Sequence, residues 1–337
     1  MLVQNGVLEQ DSSTPRAEIP QNPVPGQIAW TNAMLDPSDG ILTLDAETLE
    51  EIRGLVHELR ENPLPIEFLD PAMFELRQCV TLMEHCRTIL EDGVGFVIID
   101  RLPMEDYTRD EATKVYWTLM QLLSRPVAQS WDGKLIYDVK DSGVKPGNGV
   151  RPDVTSLEQN FHTDNSYNVC PPDYVSLLCL QKAKEGGVSS IISFQAVFNE
   201  MLKRHPELVE RLFEPYLFNR QMEHSPKAPQ VLSHPLLDIV DGKLVCRLSY
   251  RHIVNGYSMA GVELDEIGRE ALDTFEAIMK EPGFFREFYF EPGQIQIVDN
   301  KRLGHRRTGF TDYPEAERRR HLVRLWLRSD GRRFYNG

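Results

Sequence analysis

The chain has 337 residues, which is long enough to bury a substantial hydrophobic core, and we expect one domain with insertions. Its 37 Lys and Arg residues against 51 Asp and Glu residues give a net charge of −14. Such an acidic balance argues against nucleic acid or an anionic membrane as the main partner, because both need clustered positive charge.

The N-terminus and the cysteines indicate where the protein works. Residues 1–26 are rich in Gln, Asn, Ser and Pro and lack a basic start followed by an apolar run. They are therefore predicted to form a flexible arm rather than a signal peptide, and no later stretch is long and apolar enough to span a bilayer. The five cysteines are odd in number and contain no C-x-x-C pair, as expected for reduced, packed thiols. A cytoplasmic protein is the prediction.

The part of the chain that follows, about 42–124, is predicted to be mainly helical. Apolar residues recur at three- and four-residue spacing after Leu42, and further helices are expected within 71–90 and over 108–123. A short buried strand is predicted between these last two helices, over 93–100. We expect the helices to act as a scaffold without chemistry of their own.

The segment 130–160 changes character, because it is rich in Gly, Asp, Pro and Val and contains several turn signals. A long irregular loop directly before a strand with candidate metal ligands often forms a lid or a wall of a pocket. A mobile surface loop without function is the alternative, and the sequence does not decide between them.

Strand patterns with helical interruptions dominate after this loop. The Asp241-Gly242 dipeptide is typical of a hairpin. Strands are predicted over 174–180, 188–193 and 294–298. Helices are predicted at about 194–203, 207–212 and 264–279.

The C-terminal segment 318–328 combines arginines with apolar and aromatic residues. As a strand, it places Arg320, Arg324 and Trp326 on one face. Solvated arginines are the ordinary alternative. If this face is interior, the guanidinium groups need anionic partners, because an unpaired buried charge is prohibitive. A dicarboxylate ligand would satisfy at least one of them, since the planar fork of Arg matches a carboxylate.

His162 and Asp164 are the strongest candidates for chemistry. In an extended strand their side chains project from the same side. With His305 as a third ligand, they would form a two-His, one-carboxylate facial triad, which suits a non-haem Fe(II) with open coordination positions. A His-x-Asp triplet is common by itself, and a simple hydrogen bond between the two side chains is the alternative explanation.

Four motifs occur in order between about 93 and 328. They are His162-x-Asp164, Gly186-Gly187-Val188-Ser189, Asp299-Asn300-x-x-x-x-His305 and Arg320-His321-Leu322-x-Arg324-Leu325-Trp326-Leu327. Together they resemble the taurine dioxygenase and 2,4-dichlorophenoxyacetate dioxygenase (TauD/TfdA) family of Fe(II)- and 2-oxoglutarate-dependent oxygenases.

This resemblance implies the fold and the domain organisation. The expected fold is mainly β with flanking helices, built on a double-stranded β-helix, that is, a jelly roll of the clavaminate synthase-like (cupin-type) kind. The jelly-roll core would occupy about 93–328, within a single oxygenase domain over 27–337.

The resemblance also implies roles for individual residues. His162, Asp164 and His305 would bind Fe(II). Arg320 would bind the distal carboxylate of 2-oxoglutarate, and the hydroxyl of Ser189 would assist it.

The implied reaction uses 2-oxoglutarate and O₂. Decarboxylation of 2-oxoglutarate to succinate and CO₂ would be coupled to hydroxylation of an unactivated C–H bond in a small organic substrate. Desaturation or cyclisation by the same chemistry is an alternative outcome. Two alternatives from other classes are a zinc-dependent hydrolase, which would leave Arg320 without a role, and a catalytically silent binding protein on the same fold.

The substrate itself is not specified by the sequence. Asn165 and Tyr167, directly after the candidate ligands, could reach it, and Tyr137 and Trp326 are further candidates. Arg324 matches a position that contacts anionic substrate groups in some family members. An anionic substrate is therefore expected if Arg324 faces the iron, whereas nothing follows if it pairs with a protein carboxylate. Homo-oligomerisation fits the family, although no feature of this chain specifies it.

Overall fold

The computed structural model describes residues 2–4, 6–9, 18–144 and 150–337. The α-helices of this part of the chain are α1 (Ala46–Glu61), α2 (Arg77–Asp92), α3 (Arg109–Leu123), α4 (Phe194–Arg204), α5 (Pro206–Leu212), α6 (Tyr250–Ala260) and α7 (Glu266–Met279). Short 3₁₀ helices lie at Asn32–Met34, Ile66–Phe68, Pro71–Met73, Pro152–Val154 and Ala316–Arg318. The strands are β1 (Leu2–Gln4), β2 (Val7–Glu9), β3 (Ile41–Thr43), β4 (Phe96–Asp100), β5 (Pro126–Val127), β6 (Tyr137–Val139), β7 (Gln159–His162), β8 (Tyr174–Gln181), β9 (Glu185–Gly186), β10 (Ser189–Ser193), β11 (Pro215–Asn219), β12 (Val231–Pro235), β13 (Leu237–Val240), β14 (Lys243–Cys246), β15 (Phe285–Phe288), β16 (Ile295–Asp299), β17 (Leu303–Arg307), β18 (Phe310–Thr311) and β19 (His321–Leu327).

Two sheets carry the residues that the sequence singled out. The larger sheet has the strand order β3-β4-β16-β8-β19-β5, with β6 also paired to β19. The smaller sheet has the order β15-β10-β17-β7. Apart from the parallel β3–β4 pair, neighbouring strands in both sheets are antiparallel. Two facing antiparallel sheets with long helical insertions are the arrangement expected of a jelly roll.

The predicted N-terminal helices pack on the outer face of the larger sheet. Their buried residues, including Ile52, Met83 and Tyr116, form one core with Leu178 of β8 and Val323 of β19. Helix α3 begins with a capping box, in which Thr108 and Glu111 each accept from the other's backbone N–H. These helices contribute a buried apolar face, as the helical spacing predicted.

A second core covers the smaller sheet. Phe198 of α4, Leu212 of α5 and Phe275 of α7 pack with Ile192 of β10. Full burial of each such side chain contributes about 1.5–3 kcal/mol. The smaller sheet is therefore held on one side by helices, and its other side is free to line a cavity.

Helix α6 was not predicted, and its sequence explains why. It contains Gly256, which costs helix propensity, and only Ile253 and Gly256 of its residues are buried. A Cβ at Gly256 would lie 2.2 Å from the carbonyl oxygen of Leu217, so this glycine lets the helix pack closely on β11. Tertiary contact, rather than local sequence, determines this helix.

Parts of the predicted arm and lid take definite positions. Within 1–26, β2 pairs in parallel with β12, aligning Leu8 with Leu232. Of the predicted lid segment 130–160, residues 145–149 lie outside the described part of the chain. No helix in the described ranges has the length and apolar character needed to cross a bilayer.

Candidate metal and cosubstrate site

The structure brings His162, Asp164 and His305 together between the two sheets. His162 at the end of β7 pairs directly with His305 on β17, and Nε2 of each imidazole lies 3.4 Å from Oδ1 of Asp164. The ligand atoms of all three lie within 4.8 Å of one another. Two ligands at right angles, each about 2.1 Å from a metal, would be about 3 Å apart. The cluster could therefore close on one metal ion with small side-chain shifts.

The backbone at Asp164 differs from the predicted continuous strand. β7 ends at His162, and Asp164 lies in the turn that follows, where Asn165 has a φ of 59°. Asn300 holds this turn, since its Oδ1 accepts from the Asp164 backbone N–H at 2.8 Å and its Nδ2 donates to the Asp164 carbonyl at 3.0 Å. The Asp299-Asn300 motif therefore orients a candidate ligand from the other side of the site.

Both imidazoles direct Nε2 toward Asp164. Nδ1 of His162 lies 2.8 Å from the carbonyl oxygen of Asn160, and because a carbonyl only accepts, this contact places the proton on Nδ1. Burial and the neighbouring imidazole of His162 lower the pKa of His305. His305 is therefore neutral at physiological pH, the form that binds metals.

The second oxygen of Asp164 is held from the opposite side. Oδ2 accepts a hydrogen bond from Nε1 of Trp326 at 2.7 Å and contacts Nη1 of Arg324 at 3.1 Å. Burial alone would raise the pKa of Asp164, but the charge of Arg324 and the contacts with the two imidazoles hold it well below its usual range. Asp164 is therefore an ionised carboxylate with Oδ1 directed at the histidines.

Arg324 is fully engaged with protein groups. Its Nη2 lies 2.9 Å from Oδ2 of Asp153, and its Nε donates to Oε1 of Gln129 at 2.9 Å. The ring of Tyr137 lies over its guanidinium, with the ring centroid 5.0 Å from Cζ. Because Arg324 pairs with Asp153 and Asp164, it gives no support to the expectation of an anionic substrate.

Arg320 differs from Arg324 because no protein carboxylate in the described part of the chain pairs with it. It is 5% exposed, lines the cavity and has no carboxylate partner among the residues described. Its Nη1 is buried without a hydrogen-bond partner, and burial lowers its pKa to about 10, so it stays charged at neutral pH. A buried, unpaired guanidinium that faces a cavity fits a carboxylate ligand.

The double-glycine turn places Ser189 beside this cation. Gly186 and Gly187 have φ values of 74° and 70°, which side chains rarely adopt. A Cβ at Gly186 would lie 2.3 Å from the carbonyl oxygen of Gly309. Ser189 begins β10 directly after the turn and lines the same cavity as Arg320, and its predicted role at 2-oxoglutarate stays a prediction.

Arg307 is a cavity residue that the sequence interpretation missed. It lies on β17 two residues after His305 and pairs with Ser189 on β10. Its Nη2 donates to the carbonyl oxygens of Thr155, at 3.0 Å, and Leu157. Burial and the charge of Arg320 lower the pKa of Arg307 to about 9. The two-residue spacing from His305 could have identified it, since alternate residues of a strand share a face.

The cavity has a volume of about 320 Å³. Four of the five predicted substrate residues line it, namely Asn165, Tyr167, Arg324 and Trp326. Tyr167 packs against His252 with the two rings tilted by 45° and 4.6 Å between their centroids. Oδ1 of Asn165 accepts from the Tyr335 hydroxyl at 2.9 Å, and Trp326 is engaged with the carboxylate described above. Tyr137 is not among the lining residues.

His252 is a further lining residue that the sequence did not single out. It lies in α6, which has no clear helical pattern, so no local signal marks it. Burial, together with the neighbouring side chains of Arg251 and His162, lowers the pKa of His252 to about 3. Part of the cavity wall is therefore formed by a neutral imidazole.

The described part of the predicted lid forms a wall of the cavity. Residues 150–153 and several up to Glu158 line it. Arg151 pairs with Glu223 at 2.6 Å, and Asp153 joins this wall to Arg324. Of the two interpretations of this loop, the pocket wall is the one that the geometry supports.

The donor set and its surroundings can be tested against the chemistry of a cofactor. Two imidazoles and one ionised carboxylate on one side of a cavity leave coordination positions open, as a non-haem iron site requires. The buried, unpaired Arg320 in the same cavity fits the free carboxylate of a chelating 2-oxoacid. Fold and site thus define the class of non-haem iron, 2-oxoglutarate-dependent oxygenases.

Comparison with known proteins gives the family. The family described as Taurine catabolism dioxygenase TauD, TfdA family matches residues 76–326. FR-33289 synthase of Streptomyces rubellomurinus is 30% identical to this chain over 324 residues, which cover 94% of each protein. The chain belongs to the TauD/TfdA family, and the predicted oxidoreductase class, with its dependence on iron, 2-oxoglutarate and O₂, is confirmed.

Solved structures confirm the fold. Asparagine oxygenase in complex with Fe(II), 2S,3S-3-hydroxyasparagine and succinate has a TM-score of 0.68 at 19% identity, covering 86% of this chain and 94% of that one. OrfP in complex with Fe and alpha-ketoglutaric acid has a TM-score of 0.64 at 17% identity, with the same coverage. The predicted mainly β jelly roll with flanking helices is therefore correct.

Proposed function

We propose that this protein hydroxylates an unactivated C–H bond of a small organic substrate, with Fe(II) bound by His162, Asp164 and His305. Arg320, assisted by Ser189, anchors the distal carboxylate of 2-oxoglutarate. The observation that carries this proposal is a two-His, one-carboxylate cluster that shares one cavity with an unpaired, buried guanidinium.

The residues of the chain provide binding, orientation and shelter from water. When bound, iron and 2-oxoglutarate supply the oxidising chemistry, with release of succinate and CO₂. Asp164 offers one ionised oxygen and His162 a fixed Nε2 lone pair, so the donor atoms need little reorganisation. The wall at 150–158 lines one side of the cavity, which helps to orient the reacting groups and restricts the access of water on that side.

Hydroxylation is the preferred outcome within this proposal. Asparagine oxygenase is known in complex with 3-hydroxyasparagine, and OrfP in complex with a hydroxylated arginine. Both ligands are small polar molecules, which supports a substrate of that kind. Desaturation or cyclisation would use the same site and stays an alternative. An anionic substrate, a cytoplasmic location and homo-oligomerisation stay predictions.

An anaerobic titration tests the proposal. Apo-protein is loaded with Fe(II) and then titrated with 2-oxoglutarate, while the weak visible charge-transfer band of the chelated 2-oxoacid is recorded. We expect a saturable band, and we expect Arg320→Gln to weaken 2-oxoglutarate binding about 10- to 100-fold, because a hydrogen-bonded ion contact is lost. Substrate screening by succinate release would follow.

The alternatives give different results in the same experiment. A zinc-dependent hydrolase would bind metal and show no band, and Arg320→Gln would leave its metal affinity unchanged. A silent binding protein would show the band and never release succinate with any substrate. Absence of the band in protein that demonstrably holds iron would contradict the cosubstrate assignment.

A further inference from the structure

We propose that Arg307, together with Arg320, binds the distal carboxylate of the 2-oxoacid. Two buried guanidinium groups, rather than one, would then contact this carboxylate. The inference rests on the proposed function in one respect, namely that 2-oxoglutarate occupies the Arg320 end of the cavity. It adds a residue to that site, and with it a stronger preference for a dicarboxylate cosubstrate.

The strand register places Arg307 next to the expected carboxylate position. In the β10–β17 pair, Ser189 lies opposite Arg307, and Ile191 lies opposite His305. Residues directly opposite each other in an antiparallel pair have neighbouring side chains on the same face. Ser189, Arg307 and Arg320 all line the cavity, so the hydroxyl proposed to assist Arg320 has a second guanidinium beside it.

The two cations share one aromatic neighbour. Cζ of Arg307 lies 4.6 Å and Cζ of Arg320 lies 5.1 Å from the centroid of the Phe310 ring. Each arginine is 5% exposed, so solvent screens their mutual repulsion weakly. Neither forms an ion pair with any residue of the described ranges. An anion that contacts both would offset this repulsion.

The hydrogen bonds of Arg307 leave part of its guanidinium available. Nη2 is taken up by the carbonyls of Thr155 and Leu157, which holds the group against the cavity wall. Its Nε is buried without a partner, as is Nη1 of Arg320. Buried N–H groups without partners are costly, and a carboxylate has lone pairs for several such donors.

The test compares two ligands that differ only at the distal end. 2-Oxoglutarate and 2-oxopentanoate both carry the chelating 2-oxoacid, but a methyl group replaces the distal carboxylate in the second. Dissociation constants are measured anaerobically on Fe(II)-loaded protein from the charge-transfer band. We expect Arg307→Met to weaken 2-oxoglutarate binding about 10- to 100-fold and to leave 2-oxopentanoate binding within about twofold.

Two further variants serve as references. Arg320→Met, like Arg307→Met, should weaken the binding of 2-oxoglutarate and leave the binding of 2-oxopentanoate nearly unchanged. Arg328→Met is the matched structural control, because Arg328 is also 5% exposed, donates to backbone carbonyls and has an unpartnered Nε, yet it does not line the cavity. We expect Arg328→Met to affect the two ligands equally.

The outcomes separate this inference from the proposed function. If Arg307→Met weakens both ligands equally, or neither, Arg307 only anchors the wall and the inference is wrong, whatever Arg320→Met does. If wild-type protein shows no band with 2-oxoglutarate, the proposed function and this inference both fail. If Arg307→Met does not fold, Arg307→Gln replaces it, because glutamine removes the charge and keeps an N–H donor for the wall carbonyls. A selective loss of 2-oxoglutarate binding supports the inference, and an equal change for the two ligands, or no change, overturns it.

Discussion

Nε1 of Trp326 lies 2.7 Å from Oδ2 of Asp164 and donates a hydrogen bond to it. The other oxygen, Oδ1, is the one that lies 3.4 Å from Nε2 of both His162 and His305. One oxygen of the carboxylate is thus held by Trp326 and Arg324, and the other is free to act as the proposed metal ligand. Trp326, predicted from sequence as a substrate contact, acts in this arrangement as a positioning residue for Asp164.

Replacing Trp326 by Phe tests this positioning role. The variant keeps an aromatic ring but removes the N–H, so Oδ2 of Asp164 loses one of its two donors. Loss of such an outer contact to a metal ligand costs about 10- to 100-fold in metal affinity. We expect weaker binding of Co(II), used as an air-stable probe, by isothermal titration calorimetry, and a changed visible Co(II) spectrum.

Trp30→Phe is the matched control for this substitution. Trp30 is also buried, and its Nε1 donates to the carbonyl of Val94 at 2.8 Å, but it does not line the cavity. The control should lose stability without losing Co(II) affinity. Equal Co(II) affinities in wild type and Trp326→Phe would contradict the role assigned to Trp326.

The ion pair between Asp153 and Arg324 should stabilise the fold, because both side chains are largely buried. Their side chains are 10% and 9% exposed, and the pair is 2.9 Å apart. Asp153→Asn keeps the shape and removes the charge, and hydrogen bonds to charged groups contribute about 1.5–3 kcal/mol. We expect a loss of about 2 kcal/mol in the free energy of unfolding, measured by urea denaturation of apo-protein.

The exposed pair of Glu50 and Arg53, whose side chains are 75% and 48% exposed, provides the comparison. Exposed pairs contribute about 0–1 kcal/mol, so Glu50→Gln should change stability little. If Asp153→Asn and Glu50→Gln had equal effects, the pair with Arg324 would not stabilise the wall.

Metal binding should stabilise the folded chain, because its three candidate ligands come together only in the fold. At a free metal concentration about 100 times the dissociation constant, the gain is about 2.7 kcal/mol. A thermal shift with Mn(II) or Co(II) should therefore appear in wild type and disappear with excess chelator. His305→Ala should abolish it. If His305→Ala showed a metal-induced thermal shift as large as that of wild type, the metal would not bind at this cluster.

His234 on β12 should make the fold sensitive to acid. It is 5% exposed, and burial together with the positive charge of Arg247 lowers its pKa well below the ordinary value. Below about pH 6.5 the unfolded chain therefore binds one proton more than the folded chain, and stability falls by up to about 1.4 kcal/mol per pH unit as the pH decreases. Above that pH the contribution is fully present and constant.

His234→Gln checks this linkage. Its unfolding free energy should fall less steeply than that of wild type between about pH 6 and 5, by up to about 1.4 kcal/mol per unit. Above about pH 7, the unfolding free energies of wild type and His234→Gln should depend on pH in the same way. If the unfolding free energies of the two proteins had the same pH dependence across the whole range, His234 would not take up a proton when the chain unfolds.

Local patterns were sufficient to predict much of the fold. The three N-terminal helices and strands such as β8, β10 and β16 were predicted because their apolar residues follow helical or strand spacing. Helix α6 and the pairing of β2 with β12 were not, since both depend on contacts with segments that are distant in sequence. The domain boundaries remain predictions.

The sequence by itself determined which residue types were available for the site. His162, Asp164, His305 and Arg320 could be singled out because their chemistry and order along the chain are visible in one dimension. Their meeting point, between β7 and β17 on one sheet and β19 on the other, follows from strand pairing.

Only the tertiary structure decided how the remaining charges are matched. Arg320 and Arg324 look equivalent on the strand that the sequence predicts, yet Asp153, brought in by a loop, pairs with Arg324, and Arg320 has no carboxylate partner among the described residues. Arg307 and Arg320, which are distant in sequence from Asp153, both lie against the ring of Phe310. Buried charges are governed by the nearest partners in space, and those partners come from segments whose positions no local pattern specifies.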